Sequence, residues 1–453
     1  GMDSLHEVLS SPTSQNTTSI EQIREHYDRA LEQHPTSGLL WYSYAQLEFR
    51  LNNTQQLEAI FAGALKNVLD LRLWRLYLQH VKRQSRALPD RLEASNVIIK
   101  AFEFCLANIG HDVYSGITWL EYVDFVKGTL TGEGDESDKQ VRIDQLRRIY
   151  QKALSQPLDG IEHIWQSYDH FETMVNRTSA KKMLAERSPA YMHCRSLVKE
   201  LKDIVDGIDR DWVPVKTTAE DAEKWQDRLV TWMRWIEWEQ ANGAKLEKPV
   251  VNQRVIYAYR RALACCNYIP ELWLSLLEYV ESGPLNVPSD LQPIPLLRQA
   301  IQLIPKSLIL TFSLITRFDR QQPPDHEQSK ALFESLLSQY NGTNGDTGNQ
   351  ESDIHLSEAE KCDLSLAFIQ YMQWARRSPG GIAAARAVFT RARKHQFIMY
   401  PVFTANALME FHVRKDQAVA GKIFELGLAR FGSQPGYIID YANWLIGLND
   451  DQN

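Results

Sequence analysis

The sequence predicts an all-α protein, an α-solenoid of about ten antiparallel helix pairs in two arrays. Three observations carry this. Aromatic residues recur at helical spacing along the whole chain. Two different apolar patterns alternate. Period-two alternation is missing, and turn signals fall between helix-length segments.

The first pattern is aromatic-x-x-aromatic-x-x-bulky, often followed by an acid: Trp41, Tyr44, Leu47, Glu48. It returns as Trp74 and Tyr77, as Trp119, Tyr122 and Phe125, and as Trp165, Tyr168, Phe171 and Glu172. It appears again as Trp232, Trp235, Trp238 and Glu239. Weaker copies begin at Trp273, Phe312, Phe368, Phe403 and Ile438. Spacings of three and seven place these side chains in one stripe of an α-helix, here termed helix A.

The second pattern is apolar-aromatic-x-x-small-Leu, termed helix B. Examples are Ile60 and Phe61 with Ala64 and Leu65, Ile149 and Tyr150 with Ala153 and Leu154, and Ile423 and Phe424 with Gly427 and Leu428. The aromatic fills space between helices, while the small residue lets a neighbouring backbone come close. From Trp41 to Phe61 the offset is 20 residues and from Trp119 to Tyr150 it is 31; the other units fall between. One such pair cannot bury its stripe alone, so stacking into a solenoid follows.

Tyr27 belongs to a B helix whose A partner is the weak stretch Leu5 to Leu9. Ile438 to Leu448 reads as an A helix with no B helix after it, so the natural protein is expected to continue beyond Asn453. The longest interval between A helices, Trp165 to Trp232, contains Trp212-Val213-Pro214, where proline discourages a continuous helix. The expected domains are therefore an N-terminal array, 1–215, and a C-terminal array, 216–453. Thr129 to Lys139 and Asn341 to Asp353 read as exposed, mobile insertions. A Pro-bearing connection runs from Gly283 to Pro295.

With 50 Lys+Arg against 57 Asp+Glu, the formal net charge is -7, so direct nucleic-acid binding is not the default. The five cysteines are scattered without a C-x-x-C pair, which suggests neither a disulfide framework nor a zinc site. No apolar run approaches a membrane span, and the start carries no signal peptide pattern. No phosphate-cradling glycine loop, metal-ligand spacing or nucleophile motif appears. Catalytic, metal and cofactor sites are thus not expected.

By phase, Trp41, Trp74, Trp119 and Trp165 face their own core, and repeat core is preferred over base stacking for the whole stripe. A basic run includes Arg376, Arg377, Arg386, Arg391, Arg393 and Lys394. Its first reading is a solvated face; contact across a dimer or to an acidic partner is the second, and contact with an RNA backbone the third. Phe411, Tyr437, Tyr441 and Trp444 read as core or as anchors of a dimer or partner interface at an open repeat edge.

The aromatic stripe followed by the aromatic-small-Leu helix resembles the HAT (half-a-TPR, TPR-like) repeat of RNA-processing scaffolds. The likeness sharpens where Tyr371 to Arg377 (YMQWARR) runs into Ala385 to Arg393 (ARAVFTRAR), and where Ala407 to Phe411 leads to Ala420 to Leu428. Ala180 to Met183, Tyr191-Met192 and the Gly207 to Arg210 turn fit as well. Together these resemble the suppressor-of-forked family, the large HAT subunits of cleavage stimulation factor. The resemblance implies a nuclear, non-catalytic scaffold of pre-mRNA 3′-end processing that homodimerises through its C-terminal array. It further implies contacts to an RNA-binding subunit, a WD-repeat subunit and the polyadenylation specificity factor, with RNA met only indirectly and no membrane. The family's last HAT helices and C-terminal tail are expected beyond Asn453. A HAT scaffold of a spliceosomal or ribosome-biogenesis complex, and a direct RNA-binding repeat module, are the alternatives.

Overall fold

The computed structural model describes residues 17–130, 136–214, 222–283, 287–340 and 356–450. Among them there are twenty α-helices and no β-strand. In chain order these are α1 (Thr17–Gln33), α2 (Gly38–Arg50), α3 (Thr54–Ala64), α4 (Leu71–Ser85), α5 (Arg91–Ile109), α6 (Gly116–Leu130) and α7 (Glu136–Leu154). They continue as α8 (Ile161–Val175), α9 (Arg177–Asp206), α10 (Ala222–Ala241), α11 (Lys248–Cys266), α12 (Pro270–Glu281) and α13 (Pro293–Leu303). The last are α14 (Leu308–Arg320), α15 (His326–Ser338), α16 (Glu358–Arg377), α17 (Gly381–Ala392), α18 (Pro401–Arg414), α19 (Gln417–Phe431) and α20 (Pro435–Asp450). Every even-numbered helix carries pattern A and every odd-numbered one pattern B, so the alternation read from the sequence is the order of the fold.

Local chemistry starts the helices where the patterns require. The side chains of Ser37, Asn53, Asp70, Asp90, Asn176, Ser307, Asp325 and Asp416 each accept a hydrogen bond from a first-turn backbone N–H. Ser357 and Glu360 form a reciprocal capping box on α16. Proline opens α12, α13 and α18, where its missing N–H costs nothing.

Adjacent pairs are joined by rings. The B aromatic meets the second aromatic of the next A helix: Tyr27 on Tyr44 at 5.0 Å, Phe102 on Tyr122 at 5.0 Å, Phe333 on Tyr371 at 4.6 Å and Phe424 on Tyr441 at 5.0 Å, all stacked. Each contact buries the stripe of one hairpin against the next, which is what makes the core continuous.

The chain forms two compact units, Gly1–Val287 and Pro288–Asn453, rather than parting near residue 215. The segment 209–214 does interrupt the helices, as proline predicts, but α11 beyond it packs back onto early hairpins of the same unit. Tyr257 donates its hydroxyl to Asp112 at 2.6 Å, Arg261 reaches the Leu69 carbonyl at 3.0 Å, and Thr36 bonds the Ala264 carbonyl at 3.0 Å. Such bonds between residues far apart in sequence leave no local periodicity. In the second unit one buried apolar cluster runs from Ile315 through Phe333, Phe368, Phe389 and Phe424 to Trp444. The weak A stretch Leu5 to Leu9, residues 131–135 and 341–353 of the expected insertions, and residues 284–286 of the Pro-bearing connection lie outside the described residues.

Candidate interaction surfaces

The stripe residues are mostly core. Tyr44, Trp74, Trp119, Tyr122, Tyr168, Trp232, Trp235 and Trp273 are buried. Trp41, Tyr77 and Trp165 are only half-buried, although Trp41 and Trp165 lie in the stripe that faces the core. Both are nonetheless engaged: Trp165 stacks on Tyr191 at 4.5 Å, and Trp41 bonds the Pro35 carbonyl at 2.8 Å.

That last bond belongs to a series. The indole N–H of Trp74 donates to the Val68 carbonyl at 2.8 Å, Trp273 to the Asn267 carbonyl at 2.8 Å, and Trp119 to the Gly110 carbonyl at 3.1 Å. In each case the acceptor lies in the connection leading out of the preceding B helix, where carbonyls have no intrahelical partner. Tryptophan at the start of helix A thus fills the core and ties down the turn before it. Phenylalanine would do only the first.

A second device was not anticipated in the sequence. Arginines on B helices grip a buried glutamate on the next A helix with two hydrogen bonds each. Arg24 binds Glu48 at 2.7 and 2.9 Å, Arg147 binds Glu172 at 2.9 and 3.0 Å, and Arg386 binds Glu410 at 2.7 and 2.8 Å. The three glutamate side chains are no more than 1% exposed. Burial in this form is tolerable because both carboxylate oxygens are satisfied by a charged fork. The bond to glutamate in turn raises each of these guanidinium groups above its ordinary value. In α10 and α11 the same chemistry appears with helix order reversed, Arg254 holding Glu239 at 2.7 Å. The signal was present as Arg three residues before the B aromatic, with Glu 24 or 25 residues later.

Arg386, one of the candidate interface residues, is paired with Glu410 within the array while 43% of its side chain stays exposed. Tyr437 is fully buried, its hydroxyl donating to the Phe424 carbonyl at 2.8 Å, and Trp444 is buried against Phe424 and Phe411. Both pack against α19, and Trp444 also lines an open recess with Tyr441 and Leu445. Phe411 and Tyr441 are half-buried. Arg376 and Arg377, in the last turn of α16, make no ion pair with another described residue, and Arg377 is exposed. The exposed apolar surface of this region was missed: Ile438, Ile439, Leu445 and Ile446 form two i, i+7 pairs on α20, exposed by 46, 57, 42 and 60%.

In the first unit the buried polar groups converge where α11 returns. Asp112, fully buried, accepts from Tyr257 at 2.6 Å, from Arg210 at 3.2 Å and from the Tyr114 backbone at 3.0 Å. Burial pushes its carboxyl up, but the Arg210 guanidinium, the Tyr257 hydroxyl and Arg261 outweigh that and hold it below the usual range. Its role is to fix the path of the chain.

Stacked hairpins, rings and buried ion pairs inside, helix faces outside: this is the anatomy of a helical-repeat protein. The model of the Suppressor of forked protein (Suf) family matches residues 3–453, and the chain belongs to that family. It is 30% identical to the mRNA 3′-end-processing protein rna14 of Schizosaccharomyces pombe, over 96% of this chain and 60% of that protein. It is 31% identical to cleavage stimulation factor subunit 77 of Arabidopsis thaliana, over 98% of this chain and 55% of that one. With protein suppressor of forked of Drosophila melanogaster it shares 30% identity over 96% of this chain and 59% of the relative. The chain therefore spans 55–60% of the length of these relatives. The crystal structure of CstF-77 superposes with a TM-score of 0.58 at 19% identity, covering 92% of this chain and 79% of that one, a likeness of fold.

Proposed function

We propose that this chain is a non-catalytic scaffold subunit of the nuclear pre-mRNA 3′-end cleavage and polyadenylation machinery. The observation that carries the reading is a family match running unbroken from residue 3 to residue 453, with relatives named for 3′-end processing. The mechanism is positional. Ring stacks and buried arginine–glutamate forks stiffen each array, so partners docked on separate faces are held at set distances.

Homodimerisation through the C-terminal array belongs to this proposal and is supported by the exposed isoleucines and leucine of α20, since exposed apolar stripes mark interaction sites. Dimerisation would double the number of docking faces. The proposed partners are an RNA-binding subunit, a WD-repeat subunit and the polyadenylation specificity factor; Arg376 and Arg377 suit an acidic surface on one of them. RNA is reached through partners, because the stripe rings are spent on packing and net charge is -7.

Affinity purification of the tagged chain from nuclear extract, with the bound proteins identified by mass, tests the assembly. Polyadenylation subunits are expected; spliceosomal or ribosome-biogenesis proteins in their place would overturn it. For dimerisation, sedimentation of the purified chain should give a dimer that Ile439→Asp with Ile446→Asp converts to monomer. A wild-type monomer at micromolar concentration would remove dimerisation from this stretch of chain.

A further inference from the structure

The first unit carries an apolar trough that its own hairpins do not fill. It lies over α4, between α3 and α5, and encloses about 930 Å³. Phe61 of α3, Leu65 at its C-terminal cap and Tyr77 of α4 line it. Leu88, Val97 and Phe104 form an edge exposed by 37, 40 and 47%. Two polar groups in the lining are buried and have no hydrogen-bond partner, His80 Nδ1 and Ser85 Oγ. Both residues are only 4% exposed. Buried polar atoms without a protein partner are costly unless water or an occupant of the trough supplies one.

Dimensions decide the kind of occupant. From Tyr77 to Ser85 on α4 and from Val97 to Asn108 on α5, the lined stretches run roughly 12 and 16 Å at the helical rise. That is the length of about two to three helical turns. A small-molecule pocket encloses most of its ligand, whereas this trough is open along the Leu88, Val97 and Phe104 side, as helix-binding grooves are. Charge sets the direction. Glu58, beside His80 at 3.7 Å, and Lys66 are both exposed lining residues at opposite ends of the α3 stretch.

We infer that this trough binds an amphipathic helix of a partner protein. That helix presents large apolar side chains at i, i+3 or i+4, and i+7, with a polar residue among them for His80 and Ser85. A basic residue meets Glu58, and an acidic residue at the other end meets Lys66. The inference deepens the scaffold reading and rests on it.

The test uses the purified 453-residue chain and a fluorescein-labelled, fourteen-residue helical peptide in an alanine-rich host, read by fluorescence anisotropy. Its first turn carries Lys, its apolar face Leu, Phe and Leu around a central Gln, and its last turn Glu. Saturable binding below about 100 µM is expected, with Val97→Asp and Leu88→Asp each weakening it by roughly tenfold at an unchanged melting temperature. A peptide with the two charges exchanged should bind several-fold more weakly. Absence of saturation overturns the inference, as does equal binding by both Asp variants or by the exchanged peptide. If Val97→Asp instead abolishes self-association of the chain, the occupant is a second copy, and the partner-helix assignment is wrong. Because only purified chain and synthetic peptide are used, failure here removes the trough as a docking site and leaves the assembly experiment above to judge the scaffold role.

Discussion

Removing Arg147 should hurt more than removing Glu172, and removing both should hurt least. Glu172 is completely buried and receives both of its side-chain hydrogen bonds from Arg147, whose own side chain is 18% exposed and also touches Asp144 at 3.4 Å. In Arg147→Met the carboxylate is left in the core without its counter-charge. Loss of one partner of a buried pair costs about 3–5 kcal/mol, and the partial exposure of this pair favours the lower end, about 3. In Glu172→Leu the arginine can turn to water and to Asp144, and the loss should be about 1–2 kcal/mol. With both replaced, no charge is stranded and apolar contact takes over, so the double variant should lie within about 1 kcal/mol of the parent. The cycle should therefore give a coupling of at least about 2 kcal/mol. Thermal melts rank the four proteins, and hydrogen exchange at α7 and α8 localises the effect, which matters because repeat arrays need not unfold in one step. If the double variant loses the sum of the single losses, the forks are not paired elements and the account of array stiffness fails.

Three further predictions concern single devices. Trp74→Phe keeps an aromatic ring and deletes the bond to the Val68 carbonyl, so urea unfolding of the first unit should show a loss of about 1–2 kcal/mol, against about 3–5 for Trp74→Ala; an undiminished stability of Trp74→Phe would deny the turn-tying role. A Cβ on Gly427 would overlap the Tyr437 hydroxyl, so Gly427→Ala should destabilise the second unit by about 1–3 kcal/mol, and adding Tyr437→Phe should recover part of it in the same assay. The Asp112 carboxyl is held below its usual range in the fold, so its stabilisation is present above the unfolded value near roughly 4 and is lost as pH falls through the folded value. The melting-temperature advantage over Asp112→Asn should thus shrink between pH 6 and pH 3; a constant gap would contradict the assignment.

The alternation of A and B helices was legible because it is a local property. A ring every third or seventh residue and a small residue three after an aromatic both act within a few turns. What misled was phase without context. Trp41 and Trp165 share the stripe of Trp74 yet are half-buried, since burial depends on what the next hairpin brings. Tyr437 read as core or as an anchor, and the choice turned on Gly427, which admits its hydroxyl into the core. The arginine–glutamate forks were visible in the letters, but a pair 24 residues apart has no helical phase to announce it.

By itself, the sequence determined the class of fold, the number and order of helices and the family, all of which rest on short-range periodicity and on segments of recognisable wording. Only the tertiary structure decided that the compact units divide after Val287 rather than near 215, that α11 turns back to Asp112 and Leu69, and that α3 and α5 stand apart over α4. Those outcomes depend on the accumulated angle between successive hairpins, a quantity set by packing across many residues and encoded at no single position.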